Sequence, residues 1–144
     1  MIDTKADDRL IFLISKVYQK LMNTLKQSLQ NEGIDITPIQ MTILFFLLKN
    51  DGCTLTELSR GVVLENSTVT GLIDRLEISK CVERRKHPSD RRAYSIYLTD
   101  KGRSAAIMSL PIVKKVNDEI KEGCSNNEID SFKKVMLMAF NKFK

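Results

Sequence analysis

A chain of 144 residues is long enough to bury a hydrophobic core as one domain. Its formal net charge of +5 favours a polyanionic partner, although charge alone is weak evidence for one. The 3 cysteines are widely spaced and accompanied by only 1 histidine, which argues against a disulfide framework or a zinc site. The longest apolar run, at 43–48, is far shorter than the roughly 20 residues of a membrane-spanning helix, and residues 10–14 lack the preceding cationic segment of a signal peptide. We expect a cytoplasmic protein without metal, cofactor or membrane span.

Helical periodicity dominates the first part of the chain. From about residue 8 to 31, apolar side chains recur at steps of three and four residues, namely Ile14, Tyr18, Leu21, Leu25 and Leu29. A second helix is predicted over about 38–50, because Thr37-Pro38-Ile39-Gln40 combines an N-cap threonine, an N1 proline and a capping-box glutamine. Asn50-Asp51-Gly52 then offers a left-handed end.

Two shorter helices follow with only a few residues between them. Thr54-Leu55-Thr56-Glu57 repeats the capping-box pattern and predicts a third helix over about 54–62. A fourth helix is predicted over about 66–79, with an inward stripe of Val69, Leu72, Ile73 and Leu76.

The periodicity changes to two after residue 81. This alternation predicts two strands, over 82–86 and 94–98, with Val82, Ile96 and Leu98 as apolar anchors. His87-Pro88-Ser89-Asp90 can join them as a hairpin, because proline presets the turn and Ser and Asp hydrogen-bond nearby backbone. Five cationic side chains crowd this hairpin, and their mutual repulsion costs stability unless a partner neutralises it.

Two longer helices complete the chain. Thr99-Asp100 and Ser125-Asn126-Asn127-Glu128 predict helices over about 100–123 and 126–143. Pro111 lies inside the first of these and removes one backbone hydrogen bond, so we expect a bend there and no domain boundary.

Three helices followed by a hairpin, with little chain between the third and fourth helices, is the layout of a winged helix-turn-helix. Across 37–103 the sequence resembles the MarR family of transcription regulators, through the segments TPIQMTILFFL, TLTELSRGV, STVTGLIDRLE, VERRKHPSDRR and YLTDKGR. The most specific part is Asp90-Arg91-Arg92, followed by Leu98-Thr99 and Gly102. The resemblance implies a mainly α fold with a small β-hairpin wing: a winged helix-turn-helix plus N- and C-terminal dimerisation helices.

The resemblance also implies how one compact domain is divided. We expect an N-terminal dimerisation helix over 1–36, a DNA-binding lobe over 37–99 and C-terminal dimerisation helices over 100–144. The last helix is more apolar than a three-helix lobe needs, through Ile129, Phe132, Val135, Met136, Ala139, Phe140 and Phe143. A homodimer would read the two halves of a pseudo-palindromic operator in double-stranded DNA. The alternative is that both ends complete a monomeric core.

The fourth helix has the pattern of a recognition helix, because short polar groups near its N-terminus lie off the apolar stripe. The candidate DNA contacts are Asn66, Ser67, Thr68, Thr70 and Arg75. Ser67 and Thr68 could instead act only as caps. Asp74 and Glu77 lie near the same face and would repel phosphates, so contacts should concentrate in the first two turns. A mid-helix glycine costs about 1 kcal/mol relative to alanine, so Gly71 suggests either close packing or close approach of DNA.

In the wing, the resemblance assigns roles to the cations. Arg92 would enter a narrow minor groove, whose negative potential is enhanced. Asp90 would fix the shape of the wing by pairing with an arginine such as Arg84 or Arg92. Phosphate contacts would come from Arg85, Lys86 and Arg91. The alternative is a solvated charge cluster without a partner.

The family further implies a repressor that a small aromatic ligand releases from DNA. The ligand would occupy a cleft between the dimer region and the DNA-binding lobe, lined by Tyr18, Met22, Ile39 and Ile43, which are equally good core residues. The alternatives are a ligand-independent DNA binder and a redox sensor that uses Cys53, Cys81 or Cys124. An enzyme is not expected, because the sequence has no Gly-rich phosphate loop and His87 reads as a turn residue or a phosphate neighbour. Lys80-Cys81 departs from the family, which usually has glycine and an apolar residue there.

Overall fold

Six helices and three short strands form the structure, a computed structural model that describes residues 9–143. The helices are α1 (Leu10–Asn31), α2 (Pro38–Lys49), α3 (Leu55–Val62), α4 (Asn66–Ile78), α5 (Asp100–Lys121) and α6 (Asn126–Lys142). The strands are β1 (Cys53–Thr54), β2 (Val82–Lys86) and β3 (Tyr94–Leu98). The predicted mainly α fold with a hairpin wing is confirmed. Residues 1–8 and Lys144 lie outside the described residues, and with them the predicted helix start near residue 8.

Side-chain caps begin four of these helices at the predicted positions. Thr37, Thr54 and Ser125 each accept a hydrogen bond from the third helical amide, and the Gln or Glu at that position accepts one in return. Thr99 caps α5 by accepting from the Gly102 amide at 3.1 Å. Gly52 has φ +79, the left-handed conformation predicted after α2. Local hydrogen bonding therefore determines where most of the helices start.

The sheet has the strand order β1-β3-β2, and both pairings are antiparallel. In the predicted hairpin, Val82 pairs with Leu98 and Lys86 with Tyr94. The analysis of the sequence did not predict β1, because a strand of two residues is too short to show alternation.

The core lies between α2, α3, α4, the sheet, the end of α1 and one side of α5. Its fully buried side chains include Leu29, Ile43, Leu44, Leu47, Leu58, Val69, Ile73, Leu76, Val82 and Ile96. The predicted inward stripe of α4 is confirmed, and so are the hairpin anchors. In α1, however, only Leu25 and Leu29 are buried, while Ile14 and Tyr18 are 48% and 51% exposed. The first half of α1 therefore has no cover from the described part of the chain.

Helix α5 continues through Pro111 as one element and is not split there. Its buried side is formed by Gly102, Ala106, Ser109, Ile112 and Val116, and Pro111 is exposed on the other side. Within residues 9–143, no helix combines the length and the apolar character needed to cross a membrane.

A close joint connects α4, β2 and the start of α5. Lys80 turns the chain in the left-handed conformation, with φ 62, at the position where the family usually has glycine. The Thr99 hydroxyl donates to the Lys80 carbonyl at 2.6 Å, and the Lys101 ammonium donates to the Ser79 carbonyl at 2.7 Å. A Cβ on Gly102 would lie 1.9 Å from the Cys81 carbonyl oxygen. Only glycine therefore permits this approach of α5.

Gly102→Ala should lower the free energy of unfolding by roughly 1–3 kcal/mol, because the added methyl group would collide with backbone. Gly71→Ala is the matched control: its Cβ would meet nothing within 4 Å, so it should raise stability by about 1 kcal/mol. Urea unfolding of both variants measures the difference. Equal effects of the two substitutions would contradict the close contact.

Candidate nucleic-acid interface

Helix α4 begins at Asn66, and its N-cap is Glu65, which makes no side-chain capping bond. Ser67 and Thr68 are therefore the second and third helical residues, and the alternative that they act only as caps is wrong. Both side chains are exposed, as is Asn66. The first turn of α4 presents these polar groups, and its leading backbone amides have no side-chain acceptor at the N-cap.

Further along α4, the polar side chains differ in whether they already form a hydrogen bond within the protein. The Thr70 hydroxyl donates to the Asn66 carbonyl at 2.8 Å, so its lone pairs remain available but its proton is engaged. Arg75 is exposed. Gly71 lies opposite the buried stripe, with open space where a Cβ would stand. Close packing within the chain therefore does not explain this glycine, and close approach of DNA remains the hypothesis.

The wing tip is ordered by short-range hydrogen bonds. The His87 amide donates to the Ala93 carbonyl at 3.0 Å, and the Ser89 amide donates to Nδ1 of His87 at 3.2 Å. Asp90 accepts from the backbone amide of Arg92 at 2.9 Å. The predicted pairing of Asp90 with a guanidinium is wrong, because this carboxylate forms a local turn that holds the main chain of Arg92.

Arg84 instead forms an ion-pair cluster with α4. Its guanidinium donates to Asp74 at 2.5 Å and to Glu77 at 3.0 Å, and its backbone amide donates to the second Glu77 oxygen at 3.2 Å. Arg84 supplies one positive charge against these two carboxylates and so partly offsets the predicted repulsion of phosphates. The alternation of β2 was the available signal, because it places Arg84 on the inward face with Val82.

The other wing cations divide into paired and unpaired side chains. Arg85 forms an ion pair with Glu83 and lies over the ring of Tyr97, with its Cζ 4.2 Å from the ring centroid. Lys86, Arg91 and Arg92 are exposed, and within residues 9–143 they form no ion pair. The positive charge available to a partner is therefore concentrated at the tip.

The wing and the two helices of the helix-turn-helix enclose a groove of about 380 Å³. Its lining comes from the start of α3, from Thr70 on α4, and from Arg84, Arg92 and Tyr94 in the wing. Candidate residues more than twenty positions apart in the sequence, Thr70 and Arg92, thus face one groove. The structure does not bring Arg85 to this groove, because its side chain lies on the opposite face of β2.

The cysteines lie in chemically different surroundings. Cys53 and Cys81 are buried, and Cys124 is exposed. Burial, with a smaller contribution from Glu57, raises the pKa of the Cys53 thiol to about 11. A thiol is nucleophilic only as a thiolate, so Cys53 has little of the reactivity that a redox sensor requires near neutral pH.

The candidate ligand residues differ in how deeply they are buried. Ile43 is fully buried, and Met22 and Ile39 are half-buried against the core. Tyr18 is 51% exposed on the uncovered half of α1. The core interpretation holds for Ile43, whereas Tyr18 lies outside the core.

The comparisons with known proteins agree with this geometry. A sequence model of the MarR family matches residues 34–93. The HTH-type transcriptional repressor YetL of Bacillus subtilis is 29% identical over 132 residues, which is 92% of this chain and 77% of that protein. The B. subtilis HTH-type regulator YsmB is 32% identical over 109 residues, 76% of this chain and 75% of that protein.

The fold also matches a solved structure, that of Bordetella bronchiseptica BpsR, whose DNA binding is regulated by 6-hydroxynicotinic acid. The TM-score is 0.82 at 21% identity, over 92% of this chain and 98% of that one. With its helix-turn-helix, its hairpin wing and these relatives, the chain belongs to the MarR family of winged helix-turn-helix transcription regulators.

Proposed function

We propose that the protein is a homodimeric repressor that binds a pseudo-palindromic operator through α4 and the wing, and that a small aromatic ligand releases it. The observation that carries the proposal is that Thr70 of α4 and Arg92 of the wing line one groove, beside the exposed first turn of α4 and the exposed cations of the wing tip. Short polar side chains suit base edges in the major groove, and an exposed arginine suits the minor groove beside it.

The charges of this surface support binding to a polyanion. Lys86, Arg91 and Arg92 repel one another, and phosphates would offset that repulsion. The N-terminus of α4 adds the positive end of the helix dipole. Base contacts are expected from Ser67, Thr68 and Thr70, and the arginine that enters the minor groove is Arg92.

The uncovered apolar faces support a homodimer. No residue of α6 is buried, and the exposed apolar side chains there include Phe132, Val135, Leu137, Met138 and Phe140. The alternative that this end completes a monomeric core is therefore wrong for α6. Apolar patches of this size on a soluble protein mark interfaces. A second copy is the proposed occupant, because the uncovered half of α1 offers a matching apolar face on the same chain.

Repression and ligand release rest on relatives and on the position of Tyr18. YetL is a repressor, and the DNA binding of BpsR responds to 6-hydroxynicotinic acid, an aromatic acid. Met22 packs against the core, and Tyr18, one turn earlier on α1, is exposed. A ligand between them and the partner chain could shift the spacing of the two α4 helices.

Arg92→Ala should weaken binding to an operator selected from random DNA roughly tenfold, because a groove contact of this kind contributes about 1–3 kcal/mol. Its Tm should not change, since the Arg92 side chain is exposed. Fluorescence anisotropy and thermal unfolding measure the two effects. Lys115→Ala, which removes the same charge roughly four turns along α5, is the control. Equal affinities for operator and random DNA would favour the ligand-independent architectural binder.

Phe140→Glu should convert the dimer to a monomer, because it places a charge in the proposed apolar interface, where Phe140 is 62% exposed in the single chain. Size-exclusion chromatography with light scattering measures the mass. Asn141→Glu adds the same single negative charge on the side of α6 away from Phe132 and Phe140, and is the control. A wild-type monomer at micromolar concentration would refute the dimer.

A panel of aromatic acids is tested, beginning with 6-hydroxynicotinic acid. At least one should release the wild-type protein from its operator at a concentration that does not lower its Tm, so that release does not result from unfolding. Tyr18→Ala should need at least about tenfold more ligand, which corresponds to about 1.4 kcal/mol. Cyclohexanecarboxylic acid controls for a charge without an aromatic ring. If every acid leaves the complex intact, the ligand part of the proposal fails while DNA binding stands.

A further inference from the structure

The ion-pair cluster of Arg84, Asp74 and Glu77 connects the wing to α4 beside the candidate DNA-binding residues Thr70 and Arg92. Asp74 and Glu77 follow Thr70 at steps of four and three residues, so all three lie on one side of α4. Arg84 reaches across from β2 and engages both carboxylates, while its backbone amide binds Glu77 as well. Three residues, two on α4 and one on β2, are thereby joined by the Arg84 side chain and by its backbone amide.

The geometry of this cluster differs from that of an ordinary surface pair. Isolated surface ion pairs contribute roughly 0–1 kcal/mol, because they are solvated and mobile. The Arg84 side chain is only 24% exposed, and its planar fork is divided between two acids on adjacent turns. A guanidinium in such a fork fixes direction as well as distance, which a lysine cannot do.

The cluster also separates the roles of two arginines. Arg84 and Arg92 both line the groove between the wing and the helices. The guanidinium of Arg84 pairs with Asp74 and Glu77. Asp90 binds only the backbone amide of Arg92, whose guanidinium forms no ion pair with residues 9–143. One arginine is therefore held by protein groups, and the other is available to DNA.

We infer that Arg84 is a positioning residue, which fixes the wing against α4 so that Arg92 and the polar face of α4 engage the same stretch of DNA. The inference rests on the proposed function and assigns no DNA contact to Arg84 itself. Its consequence is energetic coupling: the contribution of Arg92 to operator binding depends on the bonds of Arg84.

A double-mutant cycle tests this coupling, with Arg84→Lys retaining the charge and removing the fork. In the wild-type background Arg92→Ala should cost roughly tenfold in operator affinity, and in the Arg84→Lys background at most about twofold. The matched control is Arg103→Lys, because Arg103 also pairs with an acid, Asp51 at 3.6 Å, but not between the wing and α4. Its cycle with Arg92→Ala should be additive.

The acidic side of the cluster supplies a second variant in case Arg84→Lys does not fold. Asp74→Asn with Glu77→Gln leaves Arg84 in place and makes the protein more positive by two charges. If only charge mattered, this variant would bind all DNA more tightly. If Arg84 positions the wing, it should bind the operator more weakly and discriminate less between operator and random DNA.

The outcomes separate the inference from the function on which it rests. Loss of coupling in the first cycle together with reduced discrimination in the acid variant supports it. Additive cycles, or tighter operator binding with unchanged discrimination, overturn the positioning role while DNA binding stands. A wild-type protein that binds no DNA would overturn the proposed function and the positioning role with it.

Discussion

The approach of Gly102 to the Cys81 carbonyl is the contact on which the arrangement of the DNA-binding lobe depends. At this point the end of α4, the start of β2 and the start of α5 come together, and the carbonyls of Ser79 and Lys80 accept hydrogen bonds from the first residues of α5. Because closely packed backbone deforms little, a shift of α5 at this contact would move the end of α4 and the start of β2 as well. The start of α5 is therefore fixed against the end of α4 and the start of the wing.

The distribution of charge follows from which cations have partners in the protein. Arg84 and Arg85 are held by Asp74, Glu77 and Glu83, and these bonds shape the wing. Lys86, Arg91 and Arg92 remain exposed at the tip. Their repulsion costs stability in the free protein, which a stable fold tolerates when the same charges bind a polyanion. In the strands of the wing, acidic side chains of the protein neutralise the cations. At the tip, DNA phosphates would neutralise them.

Helices, caps and the buried stripe could be predicted from the sequence because each depends on residues a few positions apart. Thr37 and Gln40, or Val69 and Ile73, interact within one or two turns. The partner of Arg84 could not be predicted in the same way, because Asp74 is ten positions away on another element. Strand β1 was missed for a similar reason, since its pairing with Ile96 joins distant segments. The predicted ion pair of Asp90 was wrong because the sequence offers several nearby arginines as partners. Only the geometry shows that the carboxylate binds a backbone amide instead.

The outward side of α4 carries features that lower stability, whereas the buried side stabilises the helix. Its N-cap makes no side-chain bond, Gly71 lowers helix propensity, and the turn before it holds Val63 at φ 56, an unfavourable conformation for a β-branched residue. Beneath this face Val69, Ile73 and Leu76 are fully buried and fix the helix from within. A helix held by its core can keep an outward face that is poor for folding. Strain of this kind persists where the surroundings over-determine it, and here it lies on and beside the face of α4 that we propose contacts DNA.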